Sequence, residues 1–260
     1  GGGGGGRTPG ILGIIVVLIG AYYGVDLSGL VGTPSMGTGS TQTSQLKPQE
    51  EAELNELARV VLADTEKAWG SYFKQIGRTY TPTTLVLYNG GTSTACGMGQ
   101  SAMGPFYCPG DQKVYLDLDF YRDMQTKLNS ASDAAFAYVI AHEVGHHVQN
   151  LLGTLPQVHR MQQQVGKKEA NALSVKLELQ ADCYAGIWGH YAVNNNIFKA
   201  EDITKAMLAA ESVGDDRLQK DGQGYVVPDS FTHGSSEQRM AWLKRGLDSG
   251  DINQCNTFGN

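Results

Sequence analysis

The chain has 260 residues, of which 41% are hydrophobic, enough for one domain of ordinary-to-large size with a proper core. Its formal charge of −6 and pI near 5.5 exclude a protein that works by gripping a phosphate backbone, and no Lys/Arg cluster makes an exception. Nucleic acid is therefore not an expected partner.

In chain order, six glycines and Arg7-Thr8-Pro9 form a lead-in over 1–10 that reads as flexible. Ile11 to Gly32, "ILGIIVVLIGAYYGVDLSGLVG", carries a single charge, Asp26. A bilayer core takes about 20 apolar residues in a helix, so 11–32 is expected to be a transmembrane anchor. A secretory signal is the competing reading, but the apolar run is at the long end for one and no Ala-x-Ala site follows. Tyr22 and Tyr23 suit the membrane interface. Arg7 lies on the N-terminal side and no Lys or Arg follows until Lys47, which favours a cytoplasmic N-terminus with the bulk outside. Residues 33–47 read as a Ser/Thr/Gly linker. The folded part is then 48–260.

Within it, apolar residues recur at helical spacing from Pro48 to Ile76, with glutamates in the first turns where the helix dipole prefers them. Thr83 to Tyr88 reads as a strand ended by Asn89-Gly90-Gly91. Lys113 to Leu118 alternates Val114, Leu116 and Leu118 with Tyr115 and Asp117, which predicts a strand with one wet face. That strand is also the expected sheet edge to which an extended peptide substrate would add. Helices are expected near Phe120–Leu128, Ser132–Leu152, Lys167–Asn194, Ala200–Val213 and Ser235–Gly246. The last opens with Ser235 and Gln238, a capping-box spacing. Few strands followed by many helices predict an α+β, helix-rich domain with a small sheet.

Four cysteines fit disulfides if the bulk lies in an oxidising compartment. Cys96 and Cys108 flank a glycine-rich loop that a bridge would staple, and this loop is expected to border the active cleft. Cys183 and Cys255 would tie the last residues to a helix, with buried free thiols as the alternative, because spacing cannot fix connectivity.

The chemistry is concentrated in "AYVIAHEVGHHVQNLLG", Ala137 to Gly153. His142 and His146 lie four apart on one helix face and can aim imidazole nitrogens at one ion. Glu143 follows the first histidine, rotated by one residue, in the zinc-peptidase arrangement His-Glu-x-x-His where the glutamate is the general base for a zinc-activated water. Catalytic zinc needs a third protein ligand. Gln149 and Leu152 exclude the metzincin pattern, which would place Gly and His there. His147 points about 100° away from His146, and His159 and His190 have no supporting pattern. In "LELQADCYAG", Glu178 and Asp182 share a helix face flanked by Val175, Leu179 and Ala181, an environment costly for two carboxylates without a compensating cation. Glu178 is the expected third ligand and Asp182 the acceptor that orients a ligand histidine. The reverse assignment stays open.

With "YYGVDLSGL", "CGMGQSAMGPFYCPGD", "YVIAHEVGHHVQ", "LELQADCYAG", "GDDRLQ", "VPDSFTHGSSEQR" and "CNTFG" in place, the sequence resembles the bacterial neutral zinc metallopeptidases over nearly its whole length. The resemblance implies a zincin-like fold and a gluzincin-type zinc peptidase, with one Zn2+, on a bacterial inner membrane. A looser resemblance links Glu178, Asp182 and Thr232-His233…Arg239 to membrane endopeptidases of the prenyl-protein type. It implies that His233 donates to the oxyanion and that Arg239 braces His233 or the ligand carboxylates.

The function expected is a membrane-anchored zinc peptidase cutting peptide or protein substrates outside the cytoplasm. A cell-wall peptide amidase with the same zinc chemistry is one alternative. The other is a catalytically weak zinc-bound scaffold, which would have no need of Glu143.

Overall fold

A computed structural model of the chain describes residues 47–100, 105–118, 120–122, 124, 132–211 and 233–259. The expected anchor at 11–32, nearly all of the linker, Thr232 and part of the helix expected at Phe120–Leu128 lie outside these residues. Among the described residues, no helix is long and apolar enough to cross a membrane. Chain packing divides the described residues into two compact units, one holding 47–51 and those within 84–122, the other Ala52–Thr83 and those from 124 onwards.

The first unit carries the strands. These are β1 (Thr84–Tyr88), β2 (Gly91–Thr94), β3 (Gly97–Gln100), β4 (Phe106–Cys108) and β5 (Lys113–Asp117). β2 and β3 form an antiparallel hairpin, while β1, β5 and β4 form a three-stranded sheet in that order. β5 runs parallel to β1 and antiparallel to β4. This corrects two expectations. β5 is the middle strand: all five of its residues pair with β1, and Lys113, Val114 and Tyr115 pair with β4 as well, so over that stretch it is not a free edge for a peptide. Nor has it a wet face, since Tyr115 and Asp117 are buried with Val114 and Leu116. Tyr115 stacks on Phe106 at 5.0 Å and gives its hydroxyl proton to Asp111, while Asp117 accepts from the Gly90 and Phe120 amides. Burial is tolerated because each polar tip has a partner. Cys96 in the hairpin turn is disulfide-bonded to Cys108 in β4.

The second unit is helical: α1 (Pro48–Gln75, from Ala52 onwards), α2 (Ser132–Leu151), α3 (Thr154–Gln162), α4 (Lys167–Asn194), α5 (Ala200–Glu211) and α6 (Ser236–Ser249). α1 buries Leu54, Ala58, Val61, Trp69 and Phe73 and leaves Ile76, just past its end, 43% exposed. On α2, Phe136, Ile140, Val144 and Val148 recur every fourth residue and are fully buried, each contributing roughly 1.5–3 kcal/mol of apolar burial. α4 is buried on every side along 179–186, as a helix packed all round by its neighbours must be. Its neighbours approach through glycines. A Cβ on Gly186 would lie 2.1 Å from the Leu243 carbonyl oxygen, and one on Gly246 would lie 2.0 Å from that of Cys183. Only hydrogen at both positions lets α4 and α6 touch backbone to backbone. The Cys183–Cys255 disulfide and a 3-10 turn, Ile252–Cys255, fasten the chain end to α4. At the start of α6, Ser235 and Gln238 form the capping box, each side chain taking the other's backbone N–H.

Candidate metal centre

α2 and α4 cross where Gly145 faces Ala181, and the two chemical motifs flank that crossing. His142 and His146, one turn apart on α2, turn their Nε2 atoms towards Glu178 Oε2 of α4, at 2.9 and 3.2 Å. The three ligand atoms all lie within 4.8 Å of one another. Tetrahedral zinc with bonds of about 2.0–2.2 Å places neighbouring ligand atoms roughly 3.3–3.6 Å apart. Two imidazole nitrogens and one carboxylate oxygen are a donor set zinc accepts, and the spacing fits. His142, His146 and Glu178 could therefore hold one metal ion.

Asp182, one turn beyond Glu178, sits behind the site. Its Oδ1 is 2.8 Å from His142 Nδ1, so His142 donates from Nδ1 to Asp182 and, without metal, shares a proton between Nε2 and Glu178 that a metal ion would displace. Asp182 is fully buried, a position that is costly for a charge without partners. Arg239 on α6 supplies one, its Nε reaching Asp182 Oδ2 at 2.9 Å with Nη2 3.4 Å from Oδ1. Tyr138, one turn before His142, gives its hydroxyl proton to Asp182 and takes a bond from Arg239 Nη2 at 3.2 Å. Arg239 thus braces the carboxylate behind the site and the tyrosine beside it.

Burial and charge oppose each other here. Burial pushes the His142 imidazole down, but the Asp182 and Glu178 carboxylates outweigh it and lift the group to about 10. His146 is raised against the same burial by Glu178. Burial would raise Glu178, yet the charge of His146 and the bonds from both histidines hold it well below the carboxylate range. Asp182 is brought to about 2 against burial, first by Arg239 and then by His142. Glu143 goes the other way: burial raises it, and His146 and His142, with a smaller share from His233, only partly offset that. His233 is exposed on the loop before α6, where Gly234 at φ +87° makes a turn that other residues rarely adopt.

Two partners have no sequence motif to reveal them. Gln149 Oε1 lies 2.8 Å from His146 Nδ1, and Gln149 Nε2 reaches Leu177 O and Gln180 Oε1. Tyr138 is the other. Their signal is helical spacing alone, since Gln149 is three residues after His146 and Tyr138 four before His142. His147 is fully buried, donates from Nε2 to the Thr81 carbonyl at 2.6 Å, and is held below its ordinary pKa by burial. It ties the segment after α1 to α2. His190 bonds Leu247 O through Nδ1, at the other end of α4.

A family described as "Putative neutral zinc metallopeptidase" matches residues 1–258. YpfJ of Escherichia coli strain K12, described as an uncharacterized protein, is 53% identical over 263 residues, covering 99% of this chain and 91% of its own length. The uncharacterized protein Rv2575 of Mycobacterium tuberculosis strain H37Rv is 40% identical over 222 residues, covering 80% of this chain and 73% of its own. No solved structure matches the chain significantly.

Proposed function

The chain belongs to the neutral zinc metallopeptidase family, and we propose that it is a gluzincin-like zinc peptidase hydrolysing peptide bonds outside the cytoplasm. The observation that carries this reading is a buried Glu143 carboxylate beside the converging His142, His146 and Glu178. A scaffold that merely holds metal needs the three ligands. It gains nothing from a further carboxylate buried next to them, whose desolvation is a cost without a return.

Zinc bound there would supply a Lewis acid that polarises a scissile carbonyl and brings the pKa of a water towards about 7. The chain's own groups do the rest. Glu143, its carboxyl raised by burial towards working pH, takes a proton on a carboxylate oxygen and passes it to the leaving amine. His233, whose charge is felt at Glu143, donates a ring N–H to the developing oxyanion. Asp182, clamped by Arg239, fixes the His142 ring. A peptide or protein is the substrate class. Residues 11–32 anchor the chain once through a bacterial inner membrane with its N-terminus cytoplasmic. The two disulfides support an extracytoplasmic place for the remainder.

The test is a quenched peptide library with parallel metal analysis. Glu143→Gln is expected to keep zinc and lose roughly 100- to 10,000-fold in rate, and Glu178→Ala to release zinc. Cleavage by Glu143→Gln at the parent rate would overturn the mechanism. Full zinc in Glu178→Ala would overturn the ligand assignment and move Asp182 into its place.

A further inference from the structure

A histidine that binds metal through Nε2 must carry its proton on Nδ1. For His142 the Asp182 carboxylate enforces this, since it can only accept. The Nδ1 of His146 faces a neutral amide instead, Gln149, and an amide can offer either oxygen or NH2. Were Gln149 turned over, its NH2 would donate to Nδ1, which would then have to be unprotonated, the ring's proton would stay on Nε2, and the lone pair a metal needs there would be lost.

Two carbonyls prevent the turn. Gln149 Nε2 lies 2.8 Å from Leu177 O and 3.0 Å from Gln180 Oε1, both acceptors. Gln180 is an amide too, and could flip in its turn, but its Nε2 donates to the backbone carbonyl of Cys255 at 3.0 Å. A carbonyl has no proton to give, so flipping Gln180 would set oxygen against oxygen. Gln149 and Cys255 are fully buried and Gln180 is 6% exposed, which leaves little room for water to replace a wrong pairing. The direction of every bond in the series is therefore set at its far end.

We infer that Gln149 and Gln180 are positioning residues that carry the polarity of the Leu177 and Cys255 carbonyls to His146 Nδ1, fixing the tautomer whose Nε2 can bind a metal. The inference rests on the metal-centre reading above. The series joins α2, α4 and the C-terminal turn, so the last residues of the chain help to set the chemistry of a ligand on α2.

The experiment uses the full chain, with zinc as probe. Zinc affinity is measured by competition with a chromophoric chelator, and the histidine tautomers of the zinc-loaded protein are read by long-range 1H–15N NMR. Gln149→Met, which keeps the volume and removes the acceptor, should weaken zinc binding roughly 10- to 100-fold. Gln180→Met touches neither histidine and should still weaken binding several-fold. His146 in the unmutated protein should carry its proton on Nδ1. The relay is overturned if Gln149→Met binds zinc like the parent or if Gln180→Met changes nothing. Should Gln149→Met fail to fold, His146 protonated on Nε2 in the unmutated protein overturns it alone. An unmutated protein that takes up no zinc brings down the metal-centre reading instead.

Discussion

Gly145 of α2 lies so close to Ala181 of α4 that a Cβ on the glycine would stand 3.0 Å from the Ala181 carbonyl oxygen. This approach sets the distance between the helix that carries the two histidines and the helix that carries Glu178. A methyl group there forces the helices apart by a few tenths of an ångström, which is comparable with the tolerance of a metal site, about 0.5 Å. The better helix propensity of alanine, worth about 1 kcal/mol, works against the strain. Gly145→Ala is thus expected to leave the melting temperature of the metal-free protein nearly unchanged and to weaken zinc binding about tenfold. Calorimetry with and without zinc checks both halves. Unchanged zinc affinity would show that the crossing distance does not control the site.

Arg239 and Asp182 make the second prediction. Removing one partner of a buried ion pair costs about 3–5 kcal/mol, because the other charge stays buried without compensation. Arg239→Ala should lower stability by that order and loosen the His142 ring. In Asp182→Asn with Arg239→Met, no charge is stranded and the oxygen of the introduced amide can still accept from His142 Nδ1. The double variant is expected to unfold later than Arg239→Ala alone in chemical denaturation. Simple additivity of the two single changes would contradict a coupled pair.

How far the sequence shows the fold depends on the range of the interactions involved. The ends of α4, Lys167 and Asn194, are legible from helical pattern, and Ser235 with Gln238 announces the start of α6 because a capping box is a local device. The β2, β3 and β4 strands escape a reading of the sequence, being short and, in β2 and β3, glycine-containing, with no alternation to mark them. Alternation in β5 correctly marks a strand and wrongly suggests that it is half exposed. Tyr115 and Asp117 are buried by partners at Phe106, Asp111, Gly90 and Phe120, which no window along β5 contains. The site divides the same way. His142, Glu143, His146, Glu178 and Asp182 carry their spacing in the sequence. Gln149 and Gln180 are ordinary helix residues until α2, α4 and Cys255 are brought together.

The third prediction concerns pH. In the metal-free protein His142 is raised from 6.5 to about 10, so its contribution is complete below 6.5 and is lost as pH rises through 10. Asp182 is depressed from 3.8 to about 2, so its contribution is present above 3.8 and is lost as pH falls through 2. From these two groups, metal-free stability is expected to be highest between these windows and to decline towards alkaline pH. Zinc must displace the protons the histidines share with Glu178, so its apparent affinity should climb about tenfold per pH unit for each proton released. Zinc-loaded protein should consequently hold its stability to higher pH than metal-free protein. Melting curves from pH 4 to 10, with and without zinc, test this. Parallel curves would mean that zinc does not compete with those protons.

The last prediction separates the two disulfides. Cys96–Cys108 closes a short loop in the strand-bearing unit, with a sequence separation of 12, and Cys183–Cys255 closes a long one in the helical unit, with a separation of 72. By loop-closure entropy they stabilise by about 3 and about 4 kcal/mol, so thermal stability alone would hardly tell them apart. Zinc affinity should. Cys255 presents the carbonyl that holds Gln180, and the bond from Thr257 Oγ1 to Lys176 O ties the following residues to α4. Replacing Cys183 and Cys255 by serine frees that carbonyl to move and loosens the far lock on the Gln149–Gln180 series. The same change at Cys96 and Cys108 leaves the series untouched. Zinc binding is therefore expected to weaken several-fold in the Cys183→Ser/Cys255→Ser protein and to stay at the parent value in Cys96→Ser/Cys108→Ser, both measured well below their melting temperatures. Equal losses in the two proteins would mean that the disulfides act on the metal centre only through global stability.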